Sequence, residues 1–427
     1  MRRAVRHLTL LALIAAACTS SPDPPDAPSL DFATGGGDAS ATASATPSAE
    51  PTGQPMTPSD LDGLGGRLAI LDAPGNLVTM DPDGSNEMTV AEADPGSTQV
   101  RQPAWSRDGE RLAWVHVTST GAGAFDAVVS TSTPDGADAT EAAMGATVPF
   151  FLSWDPTSSR VAYLGPSVQD EIEFGVVEVA GRPTSKAVDG GAPFYLSWAP
   201  SGDELLVHVG MDRLERLGID GRAEAVGQQP GTFNVPVWSG DTLLYAAVGD
   251  DGQRLVGQDV ASGRLQTLVP FEGAITFVAS PDGERVAFQI FGERPSALSV
   301  VDLDSGNILG VVEGAIASYF WSPDGERLLY LEPVTDREQI AFRWGVWDGE
   351  TTFTTEPFLP SQTLVREYLP FFEQYAQVIS LWSPDGRAFA YPGQNAAGET
   401  GIWVQEAIPD RAPVLVSDGA FVTWSPA

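Results

Sequence analysis

Side chains able to do covalent or metal chemistry are scarce in this sequence. Outside its first residues it offers two histidines, His116 and His208, one cysteine, Cys18, and one lysine, Lys186. A hydrolytic triad needs a histidine held between a hydroxyl and a carboxylate, and a zinc or calcium centre needs several converging ligands. Two separated histidines exclude a histidine cluster and argue against a triad, so each reads as a hydrogen-bonded strand residue. No G-x-S-x-G elbow occurs. Carboxylates are plentiful, and those that recur, Asp108, Asp282, Asp324 and Asp385, share the setting Trp/Ala-Ser-x-Asp-Gly. An aspartate there accepts the backbone N–H groups of a turn, which is a structural duty. Acidic groups such as Asp170-Glu171-Ile172-Glu173 and Asp250-Asp251 read as solvated turns.

The elements around those aspartates follow from the turn itself. In Trp321-Ser322-Pro323-Asp324-Gly325 proline pre-sets φ, glycine accepts the positive φ that closes the turn, and Leu328-Leu329-Tyr330 continues as a strand. The unit recurs at Trp105, Trp154, Trp198, Trp238, Ala279, Trp321, Trp382 and Trp424, spaced by 49, 44, 40, 41, 42, 61 and 42 residues. A period near 42 is that of one four-stranded sheet per repeat. Short runs such as Val286-Ala287-Phe288 and Phe389-Ala390-Tyr391 follow the anchors, and a second run with its own turn, Ser299 to Gly306 for example, comes next. Tryptophan at the turn reads as packing, a large rigid surface for the wedge between sheets with an N–H for a buried acceptor. Ala279 leaves its seam short of that surface.

The W-S-P-D-G turn followed by a strand like L-A-Y resembles the TolB-like, or PD40, group of WD40-like β-propeller repeats, over about residues 66–427. The resemblance implies an all-β fold, a single β-propeller. The last anchor stops at Ala427 without its following strands, while Leu68 to Val90 supplies three strands without an anchor. Pairing the two ends makes one composite blade and gives eight four-stranded blades of about 45 residues each, with a seven-bladed ring as the alternative. TolB itself has six blades and an α/β domain ahead of them, so its partner contacts are not carried over to this chain.

Residues 1–17 read as a signal peptide: a basic start with Arg2, Arg3 and Arg6, then ten apolar residues from Leu8 to Ala17, too few to span a bilayer of ~30 Å. Ala15-Ala16-Ala17-Cys18 resembles the lipobox of bacterial lipoproteins, which implies a lipid on Cys18 as the new N-terminus. Residues 18–65 are rich in Ser, Thr, Pro, Ala and Gly and cannot offset their ordering entropy, so they read as a tether of roughly 35 to 40 Å root-mean-square span. The expected place is the extracytoplasmic side of a bacterial cell membrane, reached by export and held by lipid alone. A formal charge of −34 excludes nucleic acid and anionic lipid as natural partners and suits a cationic one.

The innermost strands should end at the anchors, for example Pro193 to Ser197, Phe233 to Val237 and Gln377 to Leu381, and none of them carries Asp, Glu, His or Cys. No metal site, cofactor or catalytic residue is therefore assigned. The long spacing before Trp382 holds an insertion at about 353–376, with Tyr368, Phe371, Phe372 and Tyr375 at near-helical spacing and Pro370 placed to start a helix. These aromatics either form a partner patch, cap the channel or fold back over their own blade. The expected function is a monomeric, non-enzymatic envelope scaffold that binds a protein or small ligand. The alternative is a channel-mouth enzyme of lactonase-like or glycan-acting type.

Overall fold

The computed structural model describes residues 57–427 except 122, 168–170, 182, 293–294 and 337–338. Cys18, the leader and most of the tether lie outside the described residues. Eight four-stranded antiparallel sheets form the ring of a β-propeller. Blades are numbered by their anchors, from Trp105 in blade 1 to Trp424 in blade 8. Blade 8 is the composite: Phe421–Trp424 is its inner strand, and Leu68–Leu71, Leu77–Met80 and Met88–Ala91 complete it. Leu68 faces Trp424 and Leu71 faces Phe421 in that junction. The two ends of the repeat region therefore close the ring and leave no open sheet edge between first and last blade.

The anchor tryptophans bolt neighbouring blades together. The indole N–H of Trp154 donates to the carbonyl of Ala104 at 3.0 Å, Trp321 to Val278 at 3.0 Å and Trp382 to Phe320 at 3.1 Å. Trp105 and Trp198 reach Thr423 and Ser153 in the same way. In all five cases the acceptor is the residue just before the anchor of the preceding blade. Each bond satisfies a donor that would otherwise be buried alone. Trp424 reaches Gly65 instead. Trp238 turns its N–H onto Gly240 of its own turn, and Ala279 has none to offer. Blade 4 thus lacks the indole bond on both sides, where the sequence alone pointed to one weak seam.

The rest of the motif holds its own turn. Ser322 Oγ donates to Asp324 Oδ1 and accepts the N–H of Arg327 at 2.9 Å, and Asp324 also accepts the N–H of Glu326. Burial works against the charge on Asp324, yet these bonds and the nearby Arg327 guanidinium hold its carboxyl below the usual range. Gly325 has φ +70°, and a Cβ there would lie 2.5 Å from the Asp282 carboxylate of the preceding anchor. Arg327 in turn lies over the Trp382 ring, 5.7 Å from its centroid. The anchor turns therefore interlock around one face of the ring.

Because successive strands are antiparallel, each blade's first and third turns lie on this anchor face, and its second turn and the link to the next blade lie on the other. Two inner strands depart from expectation. Blade 4 has only Val237–Ser239 in place of Phe233 to Val237. In blade 7 the inner strand is Leu359–Pro360, paired to Gly393 and Gln394, and Gln377 to Leu381 is not a strand. Only a bridge from Trp382 to Phe389 marks the far end of that position. The insertion is thus spliced into an inner strand, between Pro360 and Trp382. An excursion from the strand that lines the axis enters the channel.

Candidate functional site

The insertion plugs the channel. A π-helical turn, Leu364–Tyr368, leads into a 3-10 turn, Leu369–Phe371, and one α-helical turn, Phe372–Tyr375. Pro370 sits in the first turn of the middle segment, where its missing N–H costs nothing. Leu364, Tyr368, Leu369, Phe372 and Tyr375 are buried. They pack against Phe151, Leu196, Phe320 and Phe421, which come from different blades. Eight wedges around an axis leave a gap that short inner side chains cannot fill, and an unfilled gap forfeits contact energy. The plug supplies the missing volume.

Polar bonds fix it at several points of the ring. Gln374 Nε2 donates to the Leu196 carbonyl at 2.8 Å while its Oε1 accepts the Leu196 N–H at 2.9 Å, so one side chain completes the free edge of the blade 3 inner strand. Tyr375 donates to Gln102 Oε1 at 3.0 Å and to the Phe150 carbonyl at 2.9 Å. Gln102 is aimed inward by a bulge and stands at φ +55°. Glu373 Oε1 accepts the Phe277 N–H at 2.9 Å in blade 5. Ser361 donates to the Ala420 carbonyl at 2.6 Å, and Arg101 pairs with Glu367 at 3.3 Å.

Burial pushes the Glu373 carboxyl up to about 8, opposed only by the Phe277 N–H. Burial likewise raises the phenols of Tyr319, Tyr368 and Tyr375. At the anchor face the plug's end, with Val378 and Ile379, Trp105, Trp321 and Trp424 surround a cavity of about 150 Å³. Arg107 reaches across that opening to donate to the Gln377 carbonyl at 2.7 Å.

The sequence-predicted residues divide clearly. Of the seven anchor tryptophans, five are bolts between blades, Trp238 caps its own turn and Trp424 ties down the segment ahead of blade 8 at Gly65. Of the four aromatics expected as a partner patch, Tyr368, Phe372 and Tyr375 are buried in the channel, and only Phe371, at 41% exposure, reaches solvent. Tyr368, Phe372 and Tyr375 fill the channel, which offers apolar side chains a drier place than the surface. The structure does not bring the two histidines together: His116 is in blade 1 and His208 in blade 3. His208 is buried, bonds the Asn234 carbonyl at 3.1 Å and packs on Phe233, and burial lowers its pKa. Among the described residues no group of three or more His, Cys, Asp or Glu could hold a metal ion. No helix among them is long and apolar enough to cross a membrane. Gln374, Glu373 and Gln102 are not legible in the sequence as functional residues. Glu373 and Gln374 leave one signal, a polar pair between Phe372 and Tyr375, and Gln102 leaves none.

No family model and no curated protein matches the sequence. Solved structures do match the fold. A crystal structure of "the eukaryotic initiation factor" is similar with TM-score 0.52 and 12% identity, covering 84% of this chain and 98% of that one. TolB from Acinetobacter baumannii is similar with TM-score 0.40 and 13% identity over 60% of this chain and 65% of that one. The β-propeller domain of the Trilobed protease from Pyrococcus furiosus follows with TM-score 0.47 and 11% identity, over 76% and 99%. The chain thus spans just under two thirds of that TolB's length. At these identities the likeness concerns the fold alone.

Proposed function

We propose that this chain is a non-enzymatic, TolB-like scaffold of the cell envelope, held at the membrane by a lipid on Cys18, which binds a protein or small ligand through its exposed faces. The observation that carries this reading is the plug. Side chains from one insertion occupy the axis, so the surface left for recognition is that of the turns. The lipobox-like Ala15-Ala16-Ala17-Cys18 and the tether-like composition of residues 18–65 support the location.

Carboxylate-directed crosslinking in native membranes, followed by mass spectrometry, tests it. The expected result is one recurrent partner coupled to turn carboxylates of the propeller, lost when Cys18→Ala releases the chain from the membrane. A chain that stays membrane-bound in the Cys18→Ala form, or that couples to nothing, refutes the reading. One observation favours the enzyme alternative: Glu373 is a carboxyl inside the channel whose pKa burial raises, the direction a general acid needs. Turnover of lactone or glycan substrates by the intact protein, abolished by Glu373→Gln, decides for it.

A further inference from the structure

The repeat departs from its own pattern at three places that meet in one cavity. The second residue after each anchor is proline in six of the eight copies, glycine at Gly240 and arginine at Arg107. The anchor itself is tryptophan in seven copies and alanine only at Ala279. The third departure is the insertion, whose last helical turn ends at Tyr375 and is followed by Ala376 to Ser380. Arg107, Ala279 and the run from Ala376 to Ser380 all line the cavity of about 150 Å³ on the anchor face. Proline presets the φ its turn requires, so an arginine in that slot gives up rigidity. The turn itself does not account for it.

The chain carries 57 Asp and Glu, yet among the described residues none lines this cavity. Trp105, Trp321, Trp382 and Trp424 contribute to its walls. Toward the channel it is bounded by Phe320, Ile379 and Leu381, which also border a smaller void of about 20 Å³ beneath the plug, so the inner wall is backed by apolar side chains. Arg107 is the only charged side chain in the lining. Among the described residues its side chain has one hydrogen bond, to the Gln377 carbonyl at 2.7 Å, and no ion pair. Most of its N–H donors are thus uncommitted. Arg160 and Arg216, by contrast, pair with Glu178 and Glu204. Burial at the mouth works against the Arg107 charge, with Asp155 in support. Asp155 is itself taken up by the N–H groups of Ser159 and Arg160.

We propose that this cavity binds a small monocarboxylic acid with an apolar body of about one aromatic ring, its carboxylate against the Arg107 guanidinium. This rests on the scaffold reading and supplies its ligand. One planar guanidinium matches the two oxygens of one carboxylate. A phosphate dianion would bring more charge than a lone arginine offsets in a chain of net charge −34. The volume has room for on the order of five to ten waters, which suits a single ring with its acid group. The indoles and Phe320 provide the apolar contact that such a ring needs.

The test titrates the full chain with benzoate and with benzamide, which has the same shape without the charge, by isothermal calorimetry. Benzoate should bind once per chain with a dissociation constant on the order of 1 mM or below, and benzamide at least about tenfold more weakly. Arg107→Gln keeps a donor for the Gln377 carbonyl and should weaken benzoate about tenfold or more. Arg107→Pro restores the residue of the other copies, so it should lose benzoate binding to the same degree while its melting temperature stays within a few degrees of wild type. Val378→Trp, which fills the mouth, should abolish binding with Arg107 in place. Absence of saturable benzoate binding, or equal affinity for benzoate and benzamide, overturns the inference. So does a lower melting temperature of Arg107→Pro with unchanged benzoate affinity, which makes Arg107 a strut for the plug. Each of these failures leaves the scaffold reading standing, because membrane crosslinking and the Cys18→Ala form decide that separately.

Discussion

Replacing Glu373 with glutamine tests whether the plug holds a neutral acid inside the channel. In the folded chain burial raises this carboxyl from its ordinary 4.5 to about 8. Between those values the folded protein keeps a proton that the unfolded chain releases. Stability is therefore fully present below pH 4.5 and is lost as pH rises through 8. The slope is about 1.4 kcal/mol per pH unit, so the ceiling is about 5 kcal/mol. Glu373 is only half-buried, and water at its open side reduces the effect to about 2 to 3 kcal/mol. Glutamine retains the oxygen that accepts the Phe277 N–H and has no proton to lose.

The measurement is urea unfolding of wild type and Glu373→Gln from pH 5 to 9. The two should agree within about 1 kcal/mol at pH 5, and the variant should be the more stable by about 2 to 3 kcal/mol at pH 8.5. His208 contributes the opposite slope, because burial lowers its pKa from 6.5 and its contribution is lost as pH falls. It is present in both proteins and cancels in the difference. Parallel curves across the range would refute the buried-acid reasoning.

Three further outcomes follow from the ring. Trp321→Phe should cost about 2 to 4 kcal/mol, since it leaves the Val278 carbonyl without its indole partner, whereas Trp238→Phe should cost about 1 kcal/mol or less, because that N–H serves its own turn; chemical denaturation compares them. Gly325→Ala should destabilise by about 2 kcal/mol or more, and Gly306→Ala, at nearly the same φ of +72° with nothing within 4 Å, by about 1 kcal/mol, so thermal unfolding separates backbone strain from the clash with Asp282. Ending the chain at Asp418 removes the inner strand of blade 8 and should make Leu68–Ala91 sensitive to limited proteolysis; unchanged protection would show that the ring does not depend on that closure.

The sequence determined the repeat. A turn that needs proline, aspartate and glycine in fixed order, and strands that need apolar runs behind it, are local requirements that each copy states for itself. Eight anchors therefore implied eight blades, and an anchor without strands facing strands without an anchor implied the closure between Phe421–Trp424 and Leu68–Leu71. Turn chemistry by itself also marks the aspartates as caps, because the groups they accept lie within a few residues of them. Contacts between distant residues were not legible. That five of the anchor indoles find a carbonyl of the preceding blade, that Gly325 must also make room for Asp282, and that blade 4 lacks a bolt on both sides are properties of neighbours brought together by the ring.

The insertion shows the limit most clearly. Its aromatics were visible, and so were the possible fates of patch, cap and cover, because composition records what a side chain avoids and not where it goes. The place of the splice decided the outcome. Leaving an inner strand at Pro360, beside an axis the eight inner strands could not fill, the segment found more apolar contact in the channel than on the surface, and Gln374 could meet both groups of Leu196 only there.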